Sequence, residues 1–170
     1  MRVYVPATVA ILRKLVDDGL LDPAGRTAFA LTPMLRESYA TGDAEELEYA
    51  AMLEAARASL RLLSAELDAE EKLDEKAVRR AVIAVDVEVA TPRPDLDDAV
   101  VKLSAPFQFS EVAAVHLDTE EAIQAVRTAA GVIDAADMGD PDAEFLLGDA
   151  EDHELAWYAP QELPFVLDLL

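Results

Sequence analysis

The chain has 170 residues, of which 52% are hydrophobic, and its 35 Asp and Glu against 14 Lys and Arg give a formal net charge of −21. That much apolar content excludes a disordered acidic tail, and a chain of this length buries roughly two thirds of its unfolded surface without a disulfide or structural metal. With no cysteine, thiolate nucleophiles, cysteine zinc sites and disulfides are excluded, and the composition fits a reducing compartment.

So acidic a surface repels phosphate backbones and anionic headgroups, so neither nucleic acid nor a membrane surface is an expected partner. The charge is uneven: residues 1–41 sum to +1 and residues 119–170 to −12. No uncharged run reaches the length of a membrane span. Pro6 splits the apolar start Met1 to Leu12 and Arg13-Lys14 follow it, which reads as a strand and a helix start rather than a secretory signal.

Arg2 to Val5 is β-prone, with Pro6 expected to end the strand. Thr8 then opens a helix whose apolar positions are Val9, Leu12, Leu15 and Val16, closed by Gly19. Pro23 and Gly25 mark a turn before a strand over Thr27 to Leu31. Thr32-Pro33 caps a short helix with Met34, Leu35 and Tyr39. Asp43 and Glu46 have capping-box spacing and start a long helix to about Glu70. Its seam of Tyr49, Leu53, Ala56, Leu60, Leu63 and Leu67 is either a partner surface or a cover for the protein's own sheet. Met52 and Leu62 broaden the stripe and favour the cover.

Ala81 to Val89 passes from an apolar run into alternation and predicts a strand, followed by a turn at Thr91 to Asp95 and strands around Val100–Leu103 and Val112–Leu117. Asp118, with Glu121 behind it, is expected to cap a helix that Gly131 ends, leaving an acidic connection to Glu154 with one helical turn at Ala143 to Leu147. Leu155 to Tyr158 reads as a strand, and Pro160 opens a last short helix. The order strand, threonine, helix, glycine, strand occurs at both ends. It describes two β-α-β units flanking the long helix and an antiparallel strand pair. The expectation is a single α+β domain over residues 1–170, a mixed sheet of about five to six strands backed by helices.

Chemistry-bearing patterns are sparse. The six glycines never form a phosphate-cradling motif, and no nucleophile elbow is present, so no catalytic residue is assigned and no cofactor is expected. The carboxylates from Asp134 to Glu154 include a near-match to a calcium loop beginning at Asp140. Phe145 stands where the turn glycine is required, so no metal site is assigned. On an alternating strand His116 shares a face with Asp118, Ala114 and Val112. Trp157 and Tyr158 point to opposite faces, so one of them is available at a wet edge. Thr8, His116, Asp118 and Tyr158 are therefore the candidate ligand-binding residues, on the premise of a pocket where strand ends meet helix N-termini.

The opening Met1-Arg2-Val3-Tyr4-Val5-Pro6-Ala7-Thr8, the block Glu45 to Ala51 and the ending Leu155-Ala156-Trp157-Tyr158-Ala159-Pro160-Gln161-Glu162 resemble a family of conserved uncharacterised actinobacterial proteins over nearly the whole chain. The resemblance implies a bacterial, cytoplasmic setting and carries no site. The sequence is read first as a non-enzymatic module that binds a protein partner or a second copy of itself, and second as a small-molecule-binding or enzymatic domain.

Overall fold

The computed structural model describes residues 1–69 and 73–170. The chain runs through β1 (Arg2–Ala7), α1 (Val9–Asp18), β2 (Leu20–Leu21), β3 (Thr27–Phe29), α2 (Pro33–Ser38) and the long α3 (Ala44–Ala69). It continues through β4 (Ala81–Asp86), β5 (Ala90–Pro92), β6 (Val100–Leu103), β7 (Phe107–Gln108) and β8 (Val112–Leu117). Then come α4 (Ile123–Asp137), α5 (Pro141–Glu151), β9 (Ala156–Tyr158) and α6 (Leu163–Asp168). The expected end of the long helix at Glu70 lies outside the described residues.

The α+β class is as expected, but the sheet is larger and antiparallel throughout. Its seven strands lie in the order β5-β6-β3-β1-β4-β8-β9, and β2 with β7 forms a separate two-stranded ribbon. The two β-α-β units with parallel strands do not form, and both fail for one reason, an extra chain reversal. After α1 the chain turns again through Pro23 to Arg26, so β3 enters antiparallel to β1. After β8 two helices rather than one carry the chain, so β9 returns antiparallel to its neighbour.

The second helix of that pair was hidden because Gly131 does not end α4. The apolar spacing Val126, Ala129, Ala130, Ile133, Ala136 runs past it, and these side chains are buried. That burial outweighs the roughly 1 kcal/mol a helical glycine costs. The expected acidic connection is the second half of α4 plus α5, whose start is fixed by Asp140 accepting from the backbone N–H groups of Asp142 (2.9 Å) and Ala143 (3.2 Å).

Strand alternation sorts the core. Val3, Val5 and Ala7 of β1, with Ile83, Val85, Val115 and Leu117, face α1 and α6. Tyr4, Phe29, Val82, Ala84 and Ala114 face α3 through Ala51, Met52, Ala55 and Ala56. Leu60 and Leu63, further along α3, pack against α4 and α5, so most of the apolar seam covers the protein's own core. Ser59 pins α3 to the sheet, donating to the Ala7 carbonyl at 2.7 Å and accepting from the Ala81 N–H at 3.1 Å.

Other local expectations change as well: the strand expected over Ala81 to Val89 ends at Asp86, and Ala90–Pro92, reaching into the expected turn, forms β5. Pro6 does not end β1, which continues to Ala7 in register with β4. Proline is tolerated in a sheet only where its missing N–H is not needed; β3 meets β1 at Tyr4 opposite Phe29 and has parted from it before Pro6. A register shift between Ala84 and Val85 interrupts the β4–β8 ladder, so Val112 turns to the α1 face and does not share the face of His116 and Ala114.

Candidate functional site

Two of the four candidate residues serve the fold. Thr8 is fully buried; its hydroxyl accepts from the Ile11 N–H at 3.3 Å, capping α1, and donates to Glu66 at 2.7 Å. Asp118 neither caps a helix nor pairs with His116. It is 1% exposed, and its carboxylate receives the Arg80 guanidinium at 2.8 and 2.9 Å and the Arg80 backbone N–H at 2.8 Å. The short helical turn that follows is flanked by Thr119, with no side-chain cap.

His116 and Tyr158 are set apart by the β8–β9 ladder. Tyr158 stands opposite Val115 and packs partly buried against the core on the α1 and α6 side. Trp157 stands opposite His116, so these two share the α3 face, and Trp157 is 60% exposed at the sheet edge. His116 opens onto a hollow of about 180 Å³ that it shares with Tyr4, Met52, Tyr49, Glu45 and Glu48. Burial, helped by the positive charge of Arg2, pushes the His116 pKa below its ordinary 6.5, so the imidazole is neutral at physiological pH.

Tyr49 also lines a second, larger hollow of about 450 Å³ between α3 and the C-terminal end of α5, together with Leu53, Glu54, Arg57, Arg80, Glu151 and others. The cations here are committed: Arg57 to Asp137 (3.1 Å) and Glu144 (2.9 Å), Arg80 to Asp118. The carboxylates are not. Among the described residues no cation lies in ion-pair reach of Glu54, Glu151 or Asp152 in the larger hollow, or of Glu45 or Glu48 in the smaller. Burial, reinforced by the negative charge of Asp97, raises the pKa of Glu54 above 4.5.

The result is an acidic surface with an apolar strip through it. Tyr49 is 49% and Leu53 40% exposed, one helical turn apart, and Trp157 stands across the β8–β9 ladder from His116, which lines the smaller hollow with Tyr49. Such a surface can desolvate aliphatic or aromatic groups while its carboxylates neutralise cations. Sequence periodicity named Tyr49, Leu53 and Trp157 individually. The carboxylates that ring them were not distinguishable among 35, because only the docking of α5 against α3 brings Glu151 and Asp152 to Glu54. Elsewhere in the acidic stretch, Asp137 and Glu144 are held by Arg57 and Arg61, and Asp140 is a helix cap.

No helix among the described residues is long and apolar enough to cross a membrane. The profile of a family of unknown function, DUF6912, matches residues 1–167, and the chain belongs to that family. No curated protein and no solved structure matches the chain.

Proposed function

We propose that this member of DUF6912 is a non-enzymatic interaction module of the bacterial cytoplasm that takes up a basic, apolar-containing segment of a partner protein. The segment lies along the outer edge of β9 and over the two hollows that meet at Tyr49. The observation that carries this reading is Tyr49 itself: half-exposed and shared by two hollows whose five carboxylates, among the described residues, form no ion pair, although Arg57 and Arg80 also line the larger one. β9 is an edge strand of only three residues, so its unpaired backbone groups can accept an extended segment, while its shortness limits indiscriminate pairing. Charge decides the kind of partner. A second copy of the chain would set carboxylates against carboxylates, whereas lysine or arginine side chains would restore the charge balance and leave Tyr49, Leu53 and Trp157 to cover apolar groups.

Calorimetric titration with a peptide of alternating lysine and leucine, beside its glutamate–leucine counterpart, tests the reading. The basic peptide binds, its affinity falls with salt, and Glu54→Lys with Glu151→Lys weakens it at least tenfold in a variant that still unfolds cooperatively. Equal affinity for the two peptides, or indifference to the charge reversals, overturns it.

A further inference from the structure

On the other side of α3 the structure contains a cavity of different character. It has a volume of about 460 Å³ and is walled by Ile11 of α1, Leu21, Pro23, Phe29 and Leu62 of α3. Its origin is in the backbone: β1 and β3 touch at Tyr4 opposite Phe29 and then part, and Pro6, which has no N–H to offer β3, lines the gap. The segment Pro23 to Thr27 forms the lip. It is held in an unusual shape, with Gly25 at φ 62° and Arg26 at φ 52°, the one non-glycine residue among those described with a positive φ. Three contacts lock it. Arg26 donates to Asp22 at 3.0 Å and to the Ser104 carbonyl at 2.9 Å, and Lys102 donates to the Gly25 carbonyl at 2.9 Å. A strained turn tied down this firmly keeps the hollow open instead of letting the lip collapse onto apolar walls.

Each charged side chain around this cavity has an ion-pair partner, except one. Asp22 is neutralised by Arg26, Thr27 accepts from Lys102 at 2.6 Å, and Arg61 is paired with Asp137 at 2.7 Å. Lys14 is exposed and has no partner among the described residues; Asp18, one turn further along α1, does not reach it. Lys14 is thus the one cation lining this cavity without an ion-pair partner among the described residues, and it sits in the segment 1–41, whose own charge is +1. The volume is in the range of small-molecule sites, and the lining is mostly apolar.

We propose that this cavity binds a small amphiphilic organic anion, with its apolar body between α1, α3 and the lip and its charged head on Lys14. The site is separate from the acidic surface around Tyr49, so either proposal can fail without the other.

Octanoate, octyl phosphate and octyltrimethylammonium share one apolar chain and differ in the head, and backbone amide NMR titrations with each test the assignment. Octanoate or octyl phosphate saturates with shifts centred on Lys14, Leu21, Thr27 and Leu62, and the cation binds at least tenfold more weakly. The preferred anion identifies the head as carboxylate or phosphate. Lys14→Glu, at an exposed position, reverses the preference between anion and cation, and Ala58→Phe, which fills the cavity, abolishes binding of all three. Equal affinity for anion and cation, shifts centred elsewhere, or no saturable binding of any of the three overturns the proposal.

Discussion

Arg80 closes a two-point ion pair on Asp118, with side-chain contacts of 2.8 and 2.9 Å and exposures of 2% and 1%. The same guanidinium donates to the His153 carbonyl at 2.9 Å, and Arg79 donates to the Asp118 carbonyl at 2.9 Å, so the entry to β4, the exit from β8 and the end of α5 are joined at one point. Asp118→Ala leaves a buried guanidinium without its counter-charge and is expected to cost about 3–5 kcal/mol in urea unfolding. Arg80→Met combined with Asp118→Leu recovers part of that loss, because no charge is then buried alone. A single-variant cost below about 1 kcal/mol contradicts the assignment of this pair as structural.

Thr8 is the N-cap of α1 and carries a second bond to Glu66 of α3. Thr8→Ala is expected to lower stability by about 1 kcal/mol or somewhat more, and Thr8→Ser, which keeps the hydroxyl, by much less. Denaturant midpoints of the two variants check the order.

His116 gives stability a pH dependence. Its folded pKa lies below 6.5, the value expected when unfolded, so below that pH the unfolded state binds the proton more readily. The contribution is therefore complete above pH 6.5 and is lost as pH falls through the lower, folded value. Glu54 acts oppositely. Its pKa is raised above 4.5, so its contribution is present below that pH and fades as pH rises through the folded value. His116→Gln should abolish the first slope and leave the second, as read from thermal unfolding at a series of pH values. An unchanged profile rules out His116 as its source.

Asp137 joins α3 to α4 by receiving Arg61 at 2.7 Å and Arg57 at 3.1 Å, and Arg57 extends the network to Glu144 of α5. These hydrogen bonds, that from Arg61 foremost, hold the Asp137 pKa below 3.8, so its stabilisation is present above that pH and is lost on acidification. The groups are partly solvated, which limits Asp137→Asn to about 1 kcal/mol, and the difference should shrink in high salt. Melting temperatures of wild type and variant at low and high salt decide this.

Legibility in the sequence followed locality. Caps written by adjacent residues, such as Thr8 before Val9 and Thr32 before Pro33, hold in the structure, and the apolar stripe of α3 holds at Ala56, Leu60 and Leu63 but not at Tyr49 and Leu53, which are exposed. What failed depended on distant segments. Gly131 punctuates locally but is overruled by the burial of Ile133 and Ala136. Asp118 has the spacing of a cap but is claimed by Arg80 from across the sheet. The same holds for the site. An aromatic at a sheet edge was foreseeable from Trp157-Tyr158, but the tie between His116 and Trp157 required the β8–β9 register, and the hollow around Tyr49 required the docking of α5.

Trp157 is the chain's single tryptophan, so its fluorescence reports directly on the surface assigned to the partner. Titration with the lysine–leucine peptide should shift its emission to shorter wavelength and shield it from acrylamide, saturating with the calorimetric affinity, while the glutamate–leucine peptide does neither. Saturable binding of the basic peptide with unchanged emission and unchanged quenching of Trp157 would contradict the account.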